Sequence, residues 1–189
     1  GVGEESFGFM AFDKVRDKCS PSAICLICEI AAYAKDQGMS LYQYLLNIYM
    51  EYGFQRETTI NVVRPGKSGA EEIAAMMVNY REHPLTEIAG EKVIKIKDFQ
   101  ESIECDLVDG RWEKKAIHMA LDAKSNVLQY FTEGGLKVSV RPSGTEPKIK
   151  FYFEIPVKNS PKPFTGKDYE RCTAEAEARV PAIKASLGI

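Results

Sequence analysis

The segment Arg141-Pro-Ser-Gly-Thr-Glu-Pro147 assembles what a phosphate monoester needs from a protein. Its arginine presents a planar fork that matches a pair of phosphate oxygens. Ser143 and Thr145 add hydroxyl donors. Gly144 lets the backbone approach closely and can take the unusual dihedral that turns successive N–H groups inward as an anion nest. Pro142 and Pro147 fix φ, so less entropy is lost when an anion binds. On residue types alone, a rigid turn with a surface arginine reads equally well. The segment joins two strands, so no helix dipole is expected to add to it. Lys150 follows as a further cation, or as a solvated lysine on the polar face of its strand.

A second group opens the chain: Gly3-Glu-Glu-Ser6, then Phe7-Gly8. A carboxylate can accept protons from two vicinal hydroxyls, and Ser6 adds a donor or acceptor, which suits a sugar. Taken alone, Glu4-Glu5 is a solvated acidic pair. Lys18, taken alone, reads as a surface lysine. Cys25-Leu-Ile-Cys28 has no second pair to complete a zinc site, and its apolar neighbours place both thiols in a buried helix. Asp106-Leu-Val-Asp109-Gly-Arg111 sets two aspartates three apart, a spacing to which no metal is assigned. His83 and His118 stand apart from any motif.

The elements that must position these groups can be read from periodicity and caps. Ser20 as N-cap and Pro21 begin a helix that runs to about Asp36 and stops at Gly38. It is apolar almost all round, so burial on several sides is expected. Ser40-Leu-Tyr-Gln43 is a capping box for a second helix with Leu41, Leu45, Ile48, Tyr49 and Tyr52 on one face, ending at Gly53. Thr58–Val63 is a strand. Ser68-Gly-Ala-Glu71 is a capping box for a helix with Ile73, Ala74, Met77 and Tyr80 inward. Lys92–Lys97 is a strand alternating Ile94 and Ile96 with lysines. Residues 99–126 are mixed, with a short helix expected near Trp112–Met119. Asn126–Thr132 is a strand. Leu136, Val138 and Val140 alternate with polar residues, as do Ile149, Phe151, Phe153 and Ile155, so two half-buried strands flank the arginine loop. Pro156–Pro163 is a loop. Thr165-Gly-Lys-Asp168 caps a last helix with Tyr169, Cys172, Ala176, Ile183 and Leu187 on one face, and Pro181 should kink it.

These elements predict an α+β chain. Residues 54–189 form a four- to five-stranded, mainly antiparallel sheet with helices on one face. Residues 1–53 hold two helices without a sheet, and read as the remnant of an α/β domain whose body belongs to a longer protein. Across 189 residues, 44% hydrophobic and 28% charged, the composition is that of a folded globular chain. A net charge of −2 gives no bias toward nucleic acid or an anionic membrane surface. The apolar run from Ala23 to Ala34 contains Glu29 and is too short to span a bilayer. Five cysteines without framework spacing fit a reducing compartment.

The order of residues in Val140–Tyr152, "VRPSGTEPKIKFY", closely resembles the phosphate-binding loop in the C-terminal domain of the α-D-phosphohexomutase superfamily, the phosphoglucomutases and phosphomannomutases. Gly3-Glu-Glu-Ser6 resembles the same family's sugar-recognition loop, in its third domain. "KSNVLQYFT" and "PKIKFYF" look closest to the bacterial phosphoglucomutase branch that includes phosphopentomutases. The resemblance covers nearly the whole chain and makes residues 1–53 the end of a third domain and 54–189 a complete fourth.

The resemblance implies that Arg141, Ser143, Gly144, Thr145 and Lys150 hold substrate phosphate, and that Glu4, Ser6 and Lys18 contact the sugar. It implies a cytoplasmic parent using Mg²⁺ and a glucose 1,6-bisphosphate-type activator, with a phosphosugar as substrate and no nucleic acid or membrane partner. The family's phosphoserine loop (like T-A-S-H-N-P) and magnesium loop (like D-G-D-G-D-R) do not occur in this sequence. The chain alone is therefore expected to be inactive and to need the N-terminal mutase domains. Near Lys18 the related branch reads G-T-H-V-R-D-K-D. Here Lys14 replaces the histidine and Cys19 the last aspartate, so no role of that histidine carries over. A phosphopentomutase fragment and a non-catalytic phosphate-binding module are the alternatives.

Overall fold

The period-two alternation on both sides of the arginine loop folds as a long antiparallel hairpin. The computed structural model describes residues 1–4, 8–117, 124–158 and 161–189. The chain divides into two compact units, Gly1–Gly53 with Asn159–Tyr169, and Phe54–Lys158 with Glu170–Ile189.

In the first unit, β1 (Val2–Gly3) pairs antiparallel with β2 (Phe9–Met10). Helix α1 (Ser20–Asp36) starts one residue earlier than expected. Cys19 is the N-cap, with extended dihedrals and no side-chain cap bond, and Ser20 is already helical. Cysteine is a poor substitute for a capping oxygen. Cys19→Asp should therefore stabilise the chain by about 1 kcal/mol, read as a higher denaturation midpoint. An unchanged midpoint would show that the cap is saturated by other groups. Helix α2 (Leu41–Tyr52) begins with the expected box: Gln43 N–H donates to Ser40 Oγ at 3.2 Å, and Gln43 Oε1 accepts from Ser40 N at 3.1 Å.

Two expectations for this unit fail. Helix α1 buries only Ala34; Ile24, Ile27, Cys25 and Cys28 are exposed, so the two thiols are not core. The apolar circumference of α1 exceeds what α2 and β2 can cover in this chain. The inward face of α2 is also turned from the one expected. Leu46 is buried and Tyr44, Leu45, Tyr49 and Met50 are half-buried, while Leu41, Ile48 and Tyr52 are exposed. Aromatic contacts set that rotation: Tyr44 meets Tyr33 edge-on at 6.0 Å, and Tyr49 meets Phe164 at 5.8 Å. Thr165 and Asp168 form the expected cap, with Thr165 N–H donating to Asp168 Oδ2 at 2.9 Å.

The second unit is an eight-stranded sheet rather than four or five strands. Its strands are β3 (Phe54–Val63), β4 (Glu87–Ile88), β5 (Glu91–Asp98), β6 (Ile103–Val108), β7 (Arg111–Ala116), β8 (Leu128–Thr132), β9 (Lys137–Pro142) and β10 (Lys148–Val157). The order is β3-β10-β9-β8-β5-β6-β7, with β4 paired to β5, and every pair is antiparallel. The extra hairpin, β6–β7, turns at Asp109-Gly110, whose φ values of 48° and 77° suit a tight primed turn. It replaces the helix expected near Trp112, and residues 118–119 lie outside the described residues. All six residues of β7 are exposed, four of them charged (Arg111, Glu113, Lys114, Lys115). In β5 the buried apolar residue is Val93, not Ile94, because a bulge between Val93 and Lys95 shifts the register.

Helices α3 (Gly66–Glu82) and α4 (Gly166–Leu187) cover one face of the sheet with Ile73, Met77, Tyr80, Cys172, Ala176, Ile183 and Leu187. Opposite them lie Val138, Val140, Ile149, Phe151, Phe153 and Ile155, all 1% exposed or less. Pro65 is the N-cap of α3, three residues before the expected cap, so Ser68 is not a capping residue. Helix α4 runs through Pro181 as one helix. The phenol of Tyr130 donates to Tyr80 O at 2.9 Å, and that of Tyr80 donates to Leu187 O at 2.7 Å, joining sheet, α3 and α4. Burial pushes the Tyr80 phenol up to about 12.

The other face is polar. On β5–β7, Glu104 lies 2.8 Å from Lys115, 2.9 Å from Lys97 and 3.2 Å from Lys95. Lys115 and Lys97, with Lys95 behind them, hold the Glu104 carboxyl down at about 2. A carboxylate depressed in the fold contributes stability that is complete above its unfolded value near 4.5 and lost as pH falls through the folded one. Stability should therefore drop between about pH 4.5 and 2, and Glu104→Gln should flatten that part of the curve. An equally steep acid limb in the variant would place the loss elsewhere.

Candidate phosphate and sugar sites

Strands β9 and β10 deliver the arginine loop. Their register sets Arg141 opposite Lys150, with Pro142 opposite Ile149 as the last pair. Ile149 faces the helices and is fully buried, so Arg141 and Lys150 share the open face. Lys150 has Asn61 of β3 as its other cross-strand neighbour. Like charges directly opposite one another cost stability, and an anion between them would relieve that cost. Arg141 is exposed, and no carboxylate among the described residues pairs with it. Lys150 lies 6.0 Å over the Tyr152 ring.

The loop between the strands is tied internally. Ser143 N–H donates to Lys148 O at 2.8 Å, and Lys148 N–H donates to Glu146 O at 2.7 Å. The amides of Thr145 and Glu146 point at Ser143 Oγ from 3.4 and 3.3 Å. Lys148 is paired with Glu146, whose carboxyl it holds below the usual range. A hydroxyl that gathers two amides marks a place where donors converge, and an anion can take them over. Gly144 differs from the expectation. Its φ is not left-handed, and nothing lies within 4 Å of where a Cβ would stand. Its contribution is open space beside the loop.

A cavity of about 550 Å³ is lined by Pro142–Pro147 of the loop and by Gly66, Ala70, Ile73 and Ala74 of α3. A helix N-terminus therefore does stand beside the loop, contrary to the expectation from its flanking strands. The partial positive charge of such an end favours anions. Arg141 and Lys150 do not line this cavity. Periodicity showed both the strands and α3, but which helix end would meet the loop is a matter of packing.

In the first unit, Glu4 and Lys18 form an ion pair at 2.9 Å beside a cavity of about 310 Å³ lined also by Val2, Gly3, Gly8, Met10 and Asp17. The hydrogen bond and charge of Glu4 raise the Lys18 amine. Glu4 N–H donates to Gly8 O at 2.9 Å, closing the loop. A Cβ on Gly8 would stand 2.2 Å from Lys18 Cδ and 2.4 Å from Glu4 Oε1, so a side chain there would displace the pair from this arrangement. This role of Gly8 was not read from sequence. Ser6 lies outside the described residues.

No group of three or more histidine, cysteine or acidic side chains among the described residues could hold a metal. Asp106 is taken up by Lys115 at 2.7 Å and Lys95 at 3.2 Å. The described residues do not fit a magnesium site. No helix among the described residues is long and apolar enough to cross a membrane.

Fold and loop together define a sheet-and-helix domain with a donor-rich loop at its rim. Residues 60–159 match the family described as phosphoglucomutase/phosphomannomutase, C-terminal domain, and the chain belongs to that family. It is 31% identical over 156 residues to a phosphoglucomutase of Staphylococcus saprophyticus and 35% identical over 156 residues to one of Staphylococcus haemolyticus. Each match covers 82% of this chain and 27% of the relative, so the chain spans about a quarter of the length of these relatives. The open form of parafusin, a phosphoglucomutase from Paramecium, shares the fold with a TM-score of 0.50 at 15% identity, over 96% of this chain and 30% of that one.

Proposed function

We propose that this chain is the substrate-holding C-terminal part of a phosphoglucomutase or phosphomannomutase, an intramolecular phosphotransferase that interconverts sugar 1- and 6-phosphates through a bisphosphate. The observation that carries the reading is the register that sets Arg141 against Lys150 at the foot of a loop rich in hydroxyls and amides. In this reading residues 54–189 are the fourth mutase domain and 1–53 the end of the third.

Arg141, Ser143, Gly144, Thr145 and Lys150 hold the phosphate that is not reacting. A cationic clamp with backbone donors reads phosphate geometry and leaves the sugar free, so it serves the substrate in either orientation. Glu4, Ser6 and Lys18 meet the ring hydroxyls. Lys18 holds the Glu4 carboxylate in place, where its oxygens can accept two hydroxyl protons. The phosphoserine, the Mg²⁺ and the activator-derived phosphoryl group belong to the N-terminal domains of the cytoplasmic parent. The exposed apolar side chains of α1, Ile24 and Ile27, suit burial against those domains.

The test is a titration of the isolated chain with glucose 6-phosphate, followed by amide NMR. Shifts should cluster at residues 141–145 and 150, with no turnover of glucose 1-phosphate. Shifts confined to other regions would overturn the phosphate site, and turnover by this chain alone would overturn the division of labour.

A further inference from the structure

The phosphate loop has a second support, outside its own hairpin. The last registered pair of β3 and β10 is Val63 with Lys148. The ladder continues one residue further: Arg64 N–H donates to Pro147 O at 2.9 Å. On the other side, Ser143 N–H holds Lys148 O at 2.8 Å. The C-terminal foot of the loop is thus fastened from both flanking strands. Pro147 has no N–H, so its carbonyl is its sole backbone handle.

Behind Arg64 stands Gly69, in the first turns of α3. A Cβ at Gly69 would lie 1.9 Å from Arg64 O, 2.4 Å from Arg64 C and 2.8 Å from Arg64 Cβ. The obstruction is mainly backbone, so a side chain at 69 cannot be accommodated by a rotamer change. Arg64 would have to retreat by about 1.5 Å to restore ordinary contact. A 2.9 Å hydrogen bond lengthened by that much is no longer one. Gly66 and Ala70, on either side of Gly69 in α3, line the same cavity as residues 142–147, so the helix start and the loop are packed as one piece.

We infer that Gly69 and the Arg64 main chain are positioning elements that set the phosphate affinity of the 141–147 loop without touching the ligand, an inference that rests on the phosphate-site reading above. Gly69→Ala should weaken binding of inorganic phosphate and of glucose 6-phosphate about tenfold, with the amide shifts of residues 143–148 displaced before ligand is added. A folded Gly69→Ala chain that binds phosphate as tightly as the parent chain would overturn the inference.

Coupling between two sites is reciprocal, which supplies a readout needing no variant. Saturating phosphate should slow hydrogen exchange at the Arg64 amide of the unaltered chain, and more than at Gln55 at the far end of β3. Unchanged exchange at Arg64 in bound protein would overturn the inference even if Gly69→Ala fails to fold. Arg141→Ala separates the two layers. If it leaves phosphate binding intact, the phosphate site itself is wrong. If it abolishes binding while Gly69→Ala and Arg64 exchange show nothing, only the positioning role is wrong.

Discussion

Arg141→Ala should weaken phosphosugar binding by about 2 to 3 kcal/mol, on the order of 30- to 150-fold, while leaving the fold intact. The size follows from removing two charge-assisted hydrogen bonds at once. The intact fold follows from position: Arg141 is exposed on the open face of the sheet, and no acidic partner among the described residues would be left unpaired. Stability should even rise slightly, because Lys150 loses a like-charged neighbour across the strands. Arg141→Lys keeps the charge and loses the fork, so it should fall between the two. Lys150→Ala should cost less than Arg141→Ala, since a point charge supplies no bidentate geometry. Calorimetric or NMR titration of each variant with glucose 6-phosphate measures the order. Arg141→Ala binding within twofold of the parent chain would remove the arginine from the site.

The largest stability effect should come from Asp98→Ala, at about 3 kcal/mol. The Asp98 side chain is only 8% exposed at the end of β5. It accepts from Arg81 Nε at 2.9 Å and Nη2 at 3.4 Å, and from the amides of Gln100 at 2.9 Å and Glu101 at 3.3 Å. Arg81 also donates to Asn126 at 2.7 Å. Alanine would leave a largely buried guanidinium without its counter-charge and two amides without an acceptor. That outcome costs more than the intact pair contributes. Asp98→Asn keeps the shape and one acceptor oxygen, so it should recover part of the loss. Urea denaturation provides the values. A loss below about 1 kcal/mol for alanine would mean that water replaces the carboxylate, as at an exposed pair.

Much of this architecture could be read from the chain. The hairpin around Arg141 is visible because one buried face imposes a strict alternation, and α2 and α4 announce themselves with side-chain caps at Ser40 and Thr165. Strand β7 was hidden by its chemistry. An exposed edge strand such as Arg-Trp-Glu-Lys-Lys-Ala needs no apolar face, so it carries no alternation of hydrophobicity, and the Asp109-Gly110 turn was the one available signal. The α1 thiols were misplaced because apolar neighbours specify a need for cover, not the presence of it. At the site, residue types pointed to Arg141, Ser143 and Thr145, whereas Gly8, Gly69 and the start of α3 act through distances that only packing creates.

The bareness of β7 bears on how the molecule behaves in a crowded solution. A sheet edge is a template for another strand, and a long sheet with an open edge invites stacking of copies into fibres. Pairing at this edge would press Arg111, Glu113, Lys114 and Lys115 against an incoming chain and strip their water. The hairpin adds nothing evident to the handling of phosphate. Its contribution is a stop signal at one end of the sheet, which discourages a strand borrowed from a neighbour from adding there, opposite the end that β3 forms.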